Sequence, residues 1–344
     1  MLGSCDFFDG NYFRAPEVII NILLLPPSVF AFIALTATKH HSTETTPSPP
    51  RPSTFRVWLE ASRPKTLAAA FVPVLIGASL AYSHESLLLL PTLVALLCAF
   101  LIQIGTNFAN DYYDFIQGAD TSKRIGFARA TASGYVSPGQ MKIAMLSTMA
   151  AAFLLGLYLV WHGGWPILLI GIFSILMGIA YTGGPFPLGY NGLGDAFVFL
   201  FFGIIAVMGT YYLNTFTWSM QAFWASLAAG ALSTNILVIN NLRDVDEDRQ
   251  TGKRTLGVLF GDRALKLEYA FMLLLSFAIP PHFFVQEGYA WPVLLPMLLL
   301  PVAALILKNV FFEADKRALN VTLERTAQFM ALFGIIFSIG LLYG

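Results

Sequence analysis

Charged residues are scarce in this chain. Asp, Glu, Lys and Arg make up 12% of its 344 residues, where an ordinary soluble domain carries about 25%. That shortage excludes a water-facing globular protein, because too little polar surface exists to cover one. Basic residues show no excess, 20 against 20 acids, which excludes the positive field of a nucleic-acid binder. Cysteine is nearly absent. Cys5 and Cys98 are far apart in sequence, so no disulfide framework holds the fold. The five histidines, His40, His41, His84, His162 and His282, show no zinc-ligand spacing with cysteines or acids. What fills the chain instead is apolar: 56% hydrophobic residues, 30 of them Phe, with a mean hydropathy of +0.67. A chain this apolar is not disordered, and most of its surface must face a bilayer.

Apolar runs of membrane-crossing length, bounded by polar or Pro/Gly breaks, occur nine times. They cover 66–83, 88–109, 141–161, 165–182, 194–213, 220–241, 265–284, 289–308 and 325–343. The predicted architecture is therefore an all-α integral membrane protein of nine transmembrane helices. Alternate links carry no basic residue. All 20 Lys and Arg fall before the first run or in the links after the second, sixth and eighth, or at their edges. The positive-inside tendency assigns that side, with the N-terminus, to the cytoplasm and Gly344 to the opposite face. Residues 1–55 read as a peripheral or targeting-like extension ahead of a membrane domain spanning 56–344. The apolar stretch Val18 to Thr38 is broken by Pro26-Pro27, and making it a tenth span would carry Arg14 to the wrong side.

Two acidic motifs stand at the cytoplasmic ends of the second and sixth runs. The first reads Asn107-Phe-Ala-Asn110-Asp111-Tyr-Tyr-Asp114, followed by Gly118 and Asp120. The second reads Asn240-Asn241-Leu-Arg243-Asp244-Val-Asp246-Glu-Asp248, followed by Gly252-Lys253-Arg254. Spacings of three and four place the first set, and Asn240, Asp244 and Asp248, each as a stripe on one helix face. Four crossings separate the stripes, so both helices run the same way, which suggests two halves facing each other across a cavity. Acids at a helix C-terminus oppose the helix dipole and call for a compensating cation. Carboxylate and amide oxygens suit Mg²⁺, which takes one or two carboxylates together with substrate phosphate oxygens. With Lys and Arg downstream of each stripe, the pattern fits a diphosphate held by metal and basic groups.

Taken together, these motifs resemble the UbiA superfamily of intramembrane prenyltransferases, over about residues 56–344. Arg63-Pro-Lys-Thr, Asn110-Asp-Tyr-Tyr-Asp114, Gly118-Ala-Asp120, Tyr181-Thr182, Leu193-Gly-Asp195 and Asn240-Asn-Leu-Arg-Asp244 through Gly252-Lys-Arg-Thr-Leu256 look most like the subgroup acting on 1,4-dihydroxy-2-naphthoate. The resemblance implies a UbiA-type bundle with a central cavity open to the cytoplasmic side. The implied reaction is Mg²⁺-dependent transfer of a polyprenyl group from polyprenyl diphosphate to 1,4-dihydroxy-2-naphthoate. Loss of CO₂ and diphosphate then gives demethylmenaquinone. It implies Asp111, Asp114, Asp244 and Asp248 as metal ligands, supported by Asn107, Asn110, Asn240 and Asn241. Arg124 and Lys253 are the leading candidates to neutralise the leaving diphosphate, with Lys123, Arg129 and Arg254 beside them. Arg63 and Lys65 serve the diphosphate, the naphthoate carboxylate or the interface. Tyr181 and Asp195 are expected along the acceptor's pocket, although Asp195 would equally suit an N-cap. Asp246 and Glu247 point off the stripe, toward solvent. The expected location is a bacterial inner membrane with the site facing the cytoplasm. Acceptors such as 4-hydroxybenzoate or homogentisate form the alternative within the superfamily. A cation transporter is the alternative outside it, disfavoured because its acids would be expected near mid-span.

Overall fold

Every one of the nine apolar runs is helical, at least in large part, in the computed structural model, which describes residues 52–120, 125–127 and 129–344. The predicted extension, residues 1–55, lies almost wholly outside them. Pro52–Gly344 pack as one unit, and its helices are α1 Thr54–Ser62, α2 Ala68–Ser83, α3 Leu89–Ile116, α4 Pro138–Gly163, α5 Trp165–Ala180, α6 Gly194–Thr215, α7 Met220–Gln250, α8 Leu256–Phe260, α9 Asp262–Val285, α10 Trp291–Phe312 and α11 Leu319–Tyr343. Among the described residues seven of these (α3, α4, α6, α7, α9, α10 and α11) are long and apolar enough to cross a membrane. An eighth exists if α1 and α2 count as one span, bent by 49° at a break. The remaining run, α5, is a 16-residue apolar helix.

Two helices outlast the hydropathy that foretold them. The expected ends at 109 and 241 become Ile116 and Gln250, because the polar stripe keeps helical spacing and nothing breaks the helix before Gly118 and Gly252. Both glycines adopt the left-handed conformation that closes a helix, with φ of 69° and 80°. At 28 and 31 residues, α3 and α7 reach about 42 and 46 Å at the usual helical rise. The hydrocarbon layer is about 30 Å thick, so the acid-bearing turns extend past the apolar part of each helix.

Hydrogen bonds sort the links into two opposite ends. At one, His84 bonds Tyr211, Ser83 bonds Tyr289, the Leu88 amide donates to Asn214, and Gln221 donates to Glu287. Trp161, Trp165, Trp218 and Trp291 are exposed around that end, as interfacial aromatics are in membrane proteins. The other end carries both acidic motifs. Between them lies α7, buried over most of its length and stripped to small residues where neighbours cross it: Ala222, Ala225, Ala228, Ala229, Gly230 and Ala231. At its closest crossing, a Cβ on Gly203 would come within 2.6 Å of the Gly230 Cα. The α6 backbone there is a π-helical turn, Leu200–Ile205. Close approach through small residues is how membrane helices associate where lipid offers no hydrophobic drive. Aromatic side chains lock the other half, with Phe277 edge-on to Phe333 and Phe283 edge-on to Phe337 at centroid distances of 5.4 and 5.6 Å. Outward, Leu154, Leu274, Leu298 and Leu305 expose 65, 71, 74 and 64% of their surface, a lipid-facing pattern.

Candidate active site

At the end of α3 the first motif turns inward. Asp111 and Asp114, three apart on one helical face, are both buried. The Asp111 carboxylate accepts from two backbone amides, Ala130 at 2.9 Å and Thr131 at 3.0 Å, and so anchors the returning loop. Asp114 is held by side chains. Arg129 donates to one of its oxygens at 2.6 Å, while Tyr190 and Lys253 both donate to the other, at 2.5 and 3.0 Å. Arg129 also faces the buried Asp120 side chain at 3.5 Å. Lys253 follows α7 and Tyr190 precedes α6, so one carboxylate joins three distant segments. The Lys253 ammonium lies 4.6 Å over the Tyr190 ring. Burial, and then the charge of Asp114, push the Tyr190 phenol well above its ordinary range, which keeps its proton on and makes it a donor.

The second motif is organised by a residue the sequence reading passed over. Arg243 is 2% exposed and holds both oxygens of the adjacent Asp244 at 2.6 Å. It also donates to Asn240 at 2.6 Å and to Asn320 of α11 at 2.9 Å. Five donors in a planar fork make this possible for arginine and for no other side chain. Asp248, four residues on, accepts from Thr255 at 3.4 Å. Asp246 is exposed, as predicted, whereas Glu247, also expected in solvent, is half-buried.

The other expected residues divide. Asn107 donates to the Ser62 carbonyl and to Thr66 at 3.0 and 3.3 Å, pinning the α1–α2 break to α3, and the Asn110 carbonyl accepts from Thr182 at 3.0 Å. Asn241 donates to Asp195 at 3.4 Å. Asp195 stands in the first turn of α6 and does not cap it, since Leu193 holds that position. Lys65 is drawn off to Glu324 of α11 in an ion pair at 2.5 Å. Arg63 occupies the break itself, at a left-handed φ of 52°. Lys123 and Arg124 lie outside the described residues. Besides Arg243, the reading missed Tyr190, Asn320 and Glu324. Tyr190 alone carried a signal, a tyrosine in the Gly/Pro-rich turn before Leu193-Gly-Asp195.

Beneath this polar layer a cavity of about 210 Å³ runs between α2, α3, α4, α5 and α6. Gln103, Thr106 and Tyr181 line its upper part, and Cys98, Leu159, Ile167 and Leu213 its far end. From Tyr181 to Ile167 the lining spans 14 residues of helix, about 21 Å at the usual rise. Nearly all of it is apolar, so it suits a hydrocarbon chain.

Four converging carboxylates were expected. The structure does not gather them so: among the described residues no three His, Cys, Asp or Glu side chains group as a metal cage. Oxygen donors still suit Mg²⁺, which needs only one or two carboxylates when phosphate supplies the rest. Charge argues the same way. Asp111, Asp114, Asp120, Asp195, Asp244 and Asp248 outnumber the buried or largely buried Arg129, Arg243 and Lys253, an excess of negative charge that a cation offsets. The residues present fit the ion.

Residues 70–334 match the model of the UbiA prenyltransferase family. The chain is 37% identical over 295 residues to 1,4-dihydroxy-2-naphthoate octaprenyltransferase of Escherichia coli (strain K12), covering 83% of this chain and 95% of that one. To the protein of the same name in Bacillus subtilis (strain 168) it is 32% identical over 299 residues, covering 86% and 95%. Among solved structures, a UbiA homolog from Archaeoglobus fulgidus bound to DMAPP and Mg²⁺ superposes with a TM-score of 0.60 at 14% identity, over 83% of this chain and 98% of the other. A digeranylgeranylglyceryl phosphate synthase gives 0.57 at 15%, over 84% and 98%. At such identities the likeness speaks for the fold.

Proposed function

The chain belongs to the UbiA prenyltransferase family, and from that premise we propose that it transfers a polyprenyl group from polyprenyl diphosphate to 1,4-dihydroxy-2-naphthoate. CO₂ and diphosphate leave, and demethylmenaquinone is produced in its reduced form. The observation that carries the reading is a single juxtaposition: a buried acid–base layer of Asp114, Arg129 and Lys253 in the same unit as an apolar cavity of about 210 Å³. A polyprenyl diphosphate has this division of polarity.

In this reading Asp114 and Asp248 hold Mg²⁺, with Asp111 and Asp244 shaping its surroundings through Ala130, Thr131 and Arg243. When bound, the ion supplies Lewis-acid charge at the diphosphate oxygens. Arg129 and Lys253 face the same oxygens and stabilise the charge that develops as the allylic carbon–oxygen bond breaks. The cavity keeps the tail away from water. Tyr181, at the cavity's upper part, walls the aromatic ring, and Arg63 takes the naphthoate carboxylate. The acceptor ring forms the new carbon–carbon bond, and the departing carboxyl returns its bonding pair to the ring, so no oxidant is consumed. We place the acidic motifs on the cytoplasmic side of a bacterial inner membrane crossed nine times, with α1–α2 as the broken first span and α5 as the short fourth. Segregation of the basic residues supports that side. The test is mass spectrometry of products from purified protein in lipid nanodiscs given a polyprenyl diphosphate, Mg²⁺ and one acceptor at a time. Prenylated, decarboxylated naphthoquinol is expected, and none with chelator.

A further inference from the structure

Asp114 is already engaged before any substrate arrives. Its two oxygens receive three donors, and two of those, Arg129 at 2.6 Å and Lys253 at 3.0 Å, are cations. Both side chains are largely buried, 7% and 12% exposed, so water screens these pairs poorly. Asp120 faces Arg129 as well, and the four groups sum to no net charge. A metal ion entering alone would therefore compete with a guanidinium and an ammonium for one carboxylate. A diphosphate entering alone would have to take those cations from the carboxylate and leave it uncompensated in a buried site, which is costly. Entering together, the two exchange partners without loss: the ion takes the oxygens, and the released cations meet phosphate.

We propose that Arg129 and Lys253 are exchangeable counter-cations of Asp114, so that metal and prenyl diphosphate bind strongly only as a pair. The inference rests on the function proposed above in taking a metal–diphosphate as ligand. Asp244 behaves differently, because Arg243 is fastened on two further sides by Asn240 and Asn320 and stays with its carboxylate. Coupling of this kind is reciprocal, and it protects the buried layer from holding a bare metal.

Two binding measurements on the full chain in nanodiscs test it, each with one ligand absent. In the first, Mn²⁺ binding is followed by electron paramagnetic resonance without diphosphate. Lys253→Met removes a competitor and should tighten Mn²⁺ roughly tenfold, whereas Lys253→Arg should leave it near the parent value. In the second, binding of radiolabelled inorganic diphosphate is measured in excess chelator. Asp114→Asn keeps the side chain's shape and its Tyr190 contact but removes the charge that holds both cations, and should raise metal-free diphosphate binding by a similar factor. If Lys253 served only as a diphosphate ligand, Lys253→Met would leave Mn²⁺ affinity unchanged. If Asp114 served only as a metal ligand, Asp114→Asn would leave metal-free diphosphate binding unchanged. Either flat result overturns the exchange. Neither assay involves the acceptor. A protein that shows both rises but prenylates no naphthoate would refute the proposed function alone, and one that prenylates without either rise would refute the exchange alone.

Discussion

Replacing Arg243 by Met should be among the most damaging single changes outside the apolar core. The side chain donates twice to Asp244 and once each to Asn240 and Asn320, from a position 2% exposed. Met fills similar volume, so little is lost in packing. What remains is Asp244, itself 6% exposed, with its cation gone. Breaking one side of a buried ion pair costs about 3–5 kcal/mol. Removing both charges leaves nothing uncompensated, so Arg243→Met with Asp244→Asn should recover most of that loss. The assay is reversible unfolding in mixed micelles of rising denaturing detergent, read by tryptophan fluorescence for the parent, both single variants and the double. The double variant should be more stable than Arg243→Met alone and still poorly active, since neither Asp244 nor Arg243 is left to shape the surroundings of Asp248. If it is no more stable, Arg243 does not act by neutralising Asp244, and the account of the second motif fails.

Gly203→Val should lower stability by about 1–3 kcal/mol, because its Cβ would stand 2.6 Å from the Gly230 Cα; an unchanged unfolding midpoint would mean that α6 and α7 do not cross there. Cysteines introduced at Gly164 and Gly252 should label from opposite faces of sealed vesicles, whereas labelling from one face contradicts nine crossings. Arg63→Met should raise the KM for the naphthoate about tenfold more than that for the diphosphate, as expected for a contact made before the transition state. Lys65→Met should change neither by as much, since Lys65 is paired with Glu324, and the reverse ranking would exchange the two roles.

Much of this was legible in one dimension. Apolar length marked the nine helical runs, and spacings of three and four put Asn107, Asp111 and Asp114 along one face, because helical periodicity is local. Helix ends were less legible, since hydropathy falls where the polar stripe begins while the backbone winds on until Gly118 and Gly252. Which cation each acid takes was not legible. Lys253 was expected to await the diphosphate and instead holds Asp114, 139 positions away; Lys65 finds Glu324, 259 positions away. Sequence spacing tells which face a residue occupies, not which faces meet, and Arg243 looked like one more topological charge until α11 supplied Asn320.

The central claim is transfer to a naphthoate with loss of its carboxyl, and isotope release tests it most directly. The protein in nanodiscs would be given 1,4-dihydroxy-2-naphthoate labelled with ¹³C in the carboxyl group, a polyprenyl diphosphate and Mg²⁺, with ¹³CO₂ and prenylated quinol quantified together. The account predicts one ¹³CO₂ for each prenylated ring, both abolished by chelator, and no product when 4-hydroxybenzoate replaces the naphthoate. Prenylation of 4-hydroxybenzoate with the naphthoate left intact, or a prenylated product that keeps its ¹³C, would contradict it.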